Sequence, residues 1–124
     1  MSAPLRQVLI VEDNANLRRL ISLTLQSAKF GLHEADNGED ALRLVRSVRP
    51  DFVLLDVMMP GSIDGYEVCH VIKQDQSLSE IKVIILSARG QKEDLEAGSE
   101  AGADHYLIKP FSPVELLQLL GSYG

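Results

Sequence analysis

Short runs of consecutive apolar residues alternate along this chain with longer stretches in which apolar positions recur every three or four residues, a pattern that predicts strands alternating with helices. The runs are Val8-Leu9-Ile10-Val11, Phe52-Val53-Leu54-Leu55, Val83-Ile84-Ile85-Leu86 and Tyr106-Leu107-Ile108. A shorter strand is read around Leu32 to Ala35, ahead of an Asn37-Gly38 turn. Asn14 can cap a helix whose apolar positions are Leu17, Leu20, Ile21, Thr24 and Ala28, ended by Gly31. Ala41, Leu44, Val45 and Val48 form a second stripe ended by Pro50. Met59 to Gly65 is a loop by its Pro and Gly content, and Val68, Cys69 and Ile72 mark a third helix. Gln91 to Ala101 reads as a helix anchored only by Leu95 and some alanines, hence the least firmly packed. Gly102-Ala103-Asp104 turns into the fifth strand, and Ser112-Pro113-Val114-Glu115 is a capping box with proline at the first helical position, before core-facing Leu116, Leu117 and Leu120.

Strands that alternate with helices imply a parallel sheet covered on both faces, because right-handed crossovers place the helices there. The expected class is therefore α/β, a single doubly wound domain over residues 1–124 with no second domain. A chain of 124 residues buries roughly two thirds of its unfolded surface, enough for a core without disulfide or structural metal. The net charge of −6 argues against a nucleic-acid or anionic-membrane surface as partner. The apolar stretch before Glu12 is too short for a signal-peptide core or a membrane span, so a cytoplasmic protein with no membrane insertion is expected. Cys69, the single cysteine, has no disulfide partner and falls on the apolar face with Val68 and Ile72, which makes it a small core hydrophobe. His33, His70 and His105 are scattered, show no metal-ligand spacing and read as surface residues.

The chemistry lies where the runs end: on Glu12-Asp13, on Asp56, on Ser87 and on Lys109. Buried parallel strands deliver whatever follows them to one edge of the sheet, so these residues can share a site. Taken singly they are ordinary: Glu12-Asp13 is a solvated strand end before a helix, Lys109 a strand-end lysine and Ser87 a loop hydroxyl. Asp56 is less ordinary, because a carboxylate closing four apolar residues is costly to desolvate and needs a partner, whether Lys109 or a cation. If the first and third strands are neighbours, three carboxylates meet and repel. Mg²⁺ relieves that, since it accepts a few carboxylates and keeps waters and phosphate oxygens in its shell.

The joint pattern resembles the receiver domain of two-component response regulators. The resemblance rests on Val11-Glu12-Asp13-Asn14, Leu55-Asp56-Val57-Met58-Met59-Pro60-Gly61, Leu86-Ser87-Ala88 and Ala101-Gly102-Ala103-Asp104-His105-Tyr106-Leu107-Ile108-Lys109-Pro110-Phe111, and covers nearly the whole chain. It implies a flavodoxin-like (βα)5 sheet of order 2-1-3-4-5 with the site at the carboxyl ends of the strands. It further implies Asp56 as phosphoacceptor, with Glu12, Asp13, Asp56 and the Met58 backbone carbonyl as Mg²⁺ ligands. Lys109 would contact the phosphoryl group, with Ser87 as switch hydroxyl, Tyr106 as switch aromatic and a cis Lys109-Pro110 bond. Such a module catalyses only its own phosphorylation and dephosphorylation. Its implied partners are a histidine kinase or histidine phosphotransfer protein and a downstream protein target, with homodimerisation on activation as one outcome and no direct nucleic-acid binding.

Two other functions share these residues. A Mg²⁺-dependent phosphohydrolase also uses a strand-end Asp, but commonly wants a second acid two residues later, where this chain has Met58. A phosphorylation-independent interaction module would need no intact site, whereas every acidic, hydroxyl and lysine position is present. Glu12 and Ser87 stand where the family often has Asp and Thr, and Gly61-Ser62-Ile63-Asp64-Gly65 is one residue longer than the usual Pro-Gly-x-Asp-Gly spacing. Met58 and Arg89 flank the approach of water to the site, so the lifetime of a phosphorylated form is expected to depend on both.

Overall fold

A computed structural model describes residues 5–88 and 90–123. The chain runs through β1 (Gln7–Val11), α1 (Ala15–Ser27), β2 (Gly31–Ala35), α2 (Gly38–Val48), β3 (Phe52–Asp56), α3 (Gly65–Gln74), β4 (Lys82–Ser87), α4 (Lys92–Glu100), β5 (His105–Ile108) and α5 (Pro113–Gly121). All pairings are parallel and the sheet order is β2-β1-β3-β4-β5, the expected doubly wound α/β arrangement.

The unbroken apolar runs follow from burial on both faces of the sheet, with alternate residues serving opposite layers. Val8, Ile10, Phe52, Leu54, Ile84 and Leu86 pack against Ile21 and Leu25 of α1 and Leu116 and Leu120 of α5. Leu9, Val11, Val53, Leu55, Val83 and Ile85 pack against α2 and α3 through Ala41, Val45, Val68, Cys69 and Ile72. Far from the carboxyl edge, the Phe52 ring meets Phe30 edge-on at 6.3 Å and Tyr123 at 5.8 Å, with the Arg6 guanidinium 5.3 Å above it.

Polar side chains start the helices where the sequence suggests. Asn14 accepts from the Leu17 amide at 3.0 Å, Asp64 from Glu67 at 2.9 Å, and Ser112 and Glu115 form the reciprocal box. The Asn37-Gly38 expectation is corrected: these residues open α2, with Asn37 accepting from the Asp40 amide at 2.8 Å. Gly38 is needed there because a Cβ would lie 2.6 Å from the Ile63 side chain. That helix ends at Arg49, with φ of 52°, before Pro50 is reached.

The α1 stripe also differs. Its buried residues are Ile21 and Leu25, while Leu20 is 54% exposed and Ala28 is an exposed cap. The helix stops at Ser27, so the periodicity stretched one turn too far toward Gly31. On α4 Leu95 is exposed, and the buried residue is Gly98, against the Tyr106 ring. That sparse anchoring agrees with the weak packing expected of this helix. His70 and His105 are exposed, but His33 is half-buried with Nε2 2.9 Å from Gln7 Oε1.

Cys69 is fully buried, its Sγ 3.5 Å from the Ala101 carbonyl, and loss of hydration pushes its thiol up to about 12. A folded-state value above the ordinary 9.0 means this contribution to stability is complete below pH 9 and is lost as the pH climbs toward 12. Native protein is accordingly expected to resist thiol-reactive disulfide reagents near neutral pH until denaturant is added, and denaturant midpoints should fall across that alkaline window. Native-state labelling at the rate of a free thiol would contradict this placement.

Candidate functional site

The strand register assembles the site as a staircase. Val11 pairs with Leu55, so Glu12 and Asp56 leave the sheet side by side. Asp56 pairs with Leu86, setting Ser87 one residue further on, and Ser87 pairs with Ile108, setting Lys109 next. The Lys109 amide donates to the Ser87 carbonyl at 2.7 Å, and the Lys109-Pro110 bond is cis. Among the described residues, the buried polar or charged side chains are Glu12, Asp56 and Ser87. Burial of polar groups is thus concentrated at one edge of the sheet.

The carboxylates do come together. One oxygen from each of Glu12, Asp13 and Asp56 lies within 4.8 Å of the others, with Asp13 exposed. Lys109 Nζ lies 2.7 Å from Glu12 Oε1 and 3.6 Å from Asp56 Oδ1. Asp56 Oδ1 also accepts from the Met58 amide at 3.3 Å, and Glu12 Oε2 from the Asn14 amide at 3.2 Å. Two unit charges 4.8 Å apart, the widest of these separations, repel by about 3.5 kcal/mol at an effective dielectric near 20. Three carboxylates against one ammonium leave an excess of negative charge that hard oxygen ligands would share with a divalent cation. The donor set therefore fits a metal of that class.

Side-chain alternation divides the site in two. Glu12, Asp56 and Lys109 continue the positions of Ile10, Leu54 and Leu107, which belong to the α1 and α5 layer. Ser87 continues Val83 and Ile85, and half-buried Tyr106 packs with them on the opposite layer. The Tyr106 hydroxyl lies 3.3 Å from that of Tyr66, which donates to the Asp94 carbonyl of α4 at 3.4 Å. By alternation Ser87 and Tyr106 therefore lie on the layer opposite to the one that Glu12, Asp56 and Lys109 continue, with Ser87 at the same strand edge as the acids.

Sequence reading did not find three supports. Arg18 Nη1 donates to the Glu12 carbonyl at 2.7 Å while its Nε lies 3.3 Å from Glu34. Glu39 of α2 binds Ser62 in the β3–α3 loop, and those bonds hold its carboxyl below the usual 4.5. Tyr66 is the third. These are contacts between separate elements, and the only signal available was that Arg18 lies one turn past the Asn14 cap. The Met58 side chain is 57% exposed beside the site, and Arg89 lies outside the described residues.

Gly65 sets the position of this loop. A Cβ there would clash with the Asp56 carbonyl oxygen and lie 2.7 Å from Val57 Cα, both backbone atoms unable to yield cheaply. Gly65→Ala is expected to cost about 3 kcal/mol, read as a lowered denaturant midpoint. A midpoint matching the unaltered chain would contradict the close approach of α3 to the end of β3.

A family model described as the response regulator receiver domain matches residues 8–121. The chain is 44% identical over 110 residues to the probable transcriptional regulator ycf27 of Guillardia theta, covering 89% of this chain and 42% of that protein. It is 39% identical to the transcriptional regulatory protein ResD of Bacillus subtilis over 111 residues, covering 90% and 45%. The chain thus spans less than half the length of either relative. A putative response regulator from Chloroflexus aurantiacus superposes with a TM-score of 0.90 at 34% identity, covering 96% of this chain and 97% of that one.

Proposed function

The chain belongs to the response regulator receiver domain family, and from that premise we propose that Asp56 accepts a phosphoryl group from the phosphohistidine of a histidine kinase or histidine phosphotransfer protein. The observation that carries this reading is the coincidence of buried Glu12, Asp56 and Ser87 with Lys109 at one strand edge. Glu12, Asp13 and Asp56, with the Met58 carbonyl, would hold Mg²⁺. When bound, that ion supplies positive charge to the phosphoryl oxygens during transfer.

Asp56 is the nucleophile. Both protein contacts to its carboxylate among the described residues fall on Oδ1, which leaves Oδ2 for in-line attack on phosphorus. The oxygen–phosphorus bond forms as the phosphorus–nitrogen bond to histidine breaks, and the imidazole nitrogen keeps the electron pair. Catalysis is mostly positioning and charge neutralisation. Lys109, which spans Glu12 and Asp56, turns its ammonium to the arriving phosphoryl oxygens, and the Ser87 hydroxyl donates to them.

The aspartyl phosphate adds roughly −1.5 to −2 charge, and Ser87 drawn toward it pulls on the chain between β4 and α4. Tyr106 on the same layer then repacks. Because α4 is buried only at Gly98, it has the least packing to lose, and the face of α4, β5 and α5 shifts between two populations. That face would meet a downstream protein target or a second copy of the chain. Residues 1–124 act in this reading as one receiver unit, cytoplasmic, with nucleic-acid contact left to other segments or proteins; the net charge of −6 supports that division. No helix among the described residues is long and apolar enough to cross a membrane.

Incubation with acetyl phosphate and Mg²⁺ followed by intact mass measurement tests the proposal. A single phosphoryl adduct is expected, absent without Mg²⁺ and absent in Asp56→Asn. Continuous turnover of acetyl phosphate without accumulating adduct would instead indicate a phosphohydrolase. No adduct and no turnover would indicate an interaction module independent of phosphorylation.

A further inference from the structure

The loop between β3 and α3 is held from outside itself. Its ends are fixed locally: the Gly65 amide donates to the Val57 carbonyl at 3.2 Å, and Asp64 caps α3. Its middle is seated on the first turn of α2. Glu39 Oε1 accepts from the Ser62 amide at 3.1 Å and from the Ser62 hydroxyl at 2.6 Å. Gly61, with φ of 107°, presents bare backbone to the same carboxylate, since a Cβ there would lie 2.8 Å from Glu39 Oε2. The Ile63 side chain then covers Gly38. Three consecutive loop residues thus rest on two consecutive residues of another element.

This seat falls on the stretch that is one residue longer than the family spacing. An extra residue adds freedom that a metal-binding loop must lose before it can bind, and restraining it beforehand lowers that cost. We propose that Glu39 and Ser62 are positioning residues, whose bond holds the lengthened loop so that the Met58 carbonyl faces the cation site of Glu12, Asp13 and Asp56. The inference rests on the proposed function. Glu39 acts here as a tether and not as a fourth ligand: Ser62 holds its Oε1 by two hydrogen bonds, and the acids that converge are Glu12, Asp13 and Asp56.

Titration calorimetry with Mg²⁺ and amide hydrogen exchange, applied to the unaltered chain, Glu39→Ala, Glu39→Gln and Ser62→Ala, separate the possibilities. Exchange in the loop should accelerate in Glu39→Ala and Ser62→Ala, and Mg²⁺ affinity should fall by about tenfold, the low end for groups that orient metal ligands. Glu39→Gln, which still offers an oxygen to Ser62, should restore most of the affinity. The double variant Glu39→Ala with Ser62→Ala should be no weaker than either single one. Unchanged affinity in the alanine variants, or Glu39→Gln as weak as Glu39→Ala, would overturn the tether. Failure of the unaltered chain to bind Mg²⁺ would overturn the reading of the site itself.

Discussion

Like charges held at the end of a buried sheet are the constraint on which this molecule turns. Glu12 and Asp56 are desolvated because β1 and β3 are covered on both faces, and Asp13 adds a third carboxylate within 4.8 Å. Among the described residues, the amine paired with the two buried acids is that of Lys109, closer to Glu12 than to Asp56. Burying charge is tolerable only with a partner, and one partner for two buried acids leaves electrostatic strain in the fold. In the proposed function a divalent cation would relieve it and draw phosphoryl oxygens into the same site.

The same sheet that creates this tension carries its consequences elsewhere. Alternation along the strands sets Glu12, Asp56 and Lys109 toward one helical layer and Ser87 and Tyr106 toward the other. In the proposed function, phosphorylation of Asp56 would act through β4 and β5 on the side where α4 lies. On that side Gly98 receives the Tyr106 ring, and the Tyr66 hydroxyl links Tyr106 to the α4 backbone. Firm packing of the strands beside the sparse anchoring of α4 is the arrangement that the proposed switch would use.

Much of this was legible in the chain because burial on both sheet faces writes itself as unbroken apolar runs. The span of β3 from Phe52 to Asp56 and the box at Ser112 to Glu115 follow from the sequence directly. The gathering of Glu12, Asp13, Asp56 and Lys109 could be expected once parallel strands were inferred, since each residue closes a run. Elements less deeply buried were harder to read. Leu20 shares the helical spacing of α1 but is exposed, and Asn37-Gly38 has the composition of a turn although Asn37 caps α2 through the Asp40 amide. The contacts of Arg18, Glu39 and Tyr66 cross between elements and leave no local periodicity to detect.

The central claim is that Asp56 is held under repulsion that a divalent cation removes, and unfolding of the unaltered chain and of Asp56→Asn, each with and without Mg²⁺, tests it most directly. Asparagine keeps an oxygen for the Met58 amide while deleting one charge. The account predicts that Asp56→Asn is the more stable protein without the cation. It also predicts that the unaltered chain gains about 1.4 kcal/mol at ten times its dissociation constant for Mg²⁺, with the variant gaining much less at the same concentration. An Asp56→Asn protein less stable without the cation, or equal stabilisation of both by Mg²⁺, would contradict it.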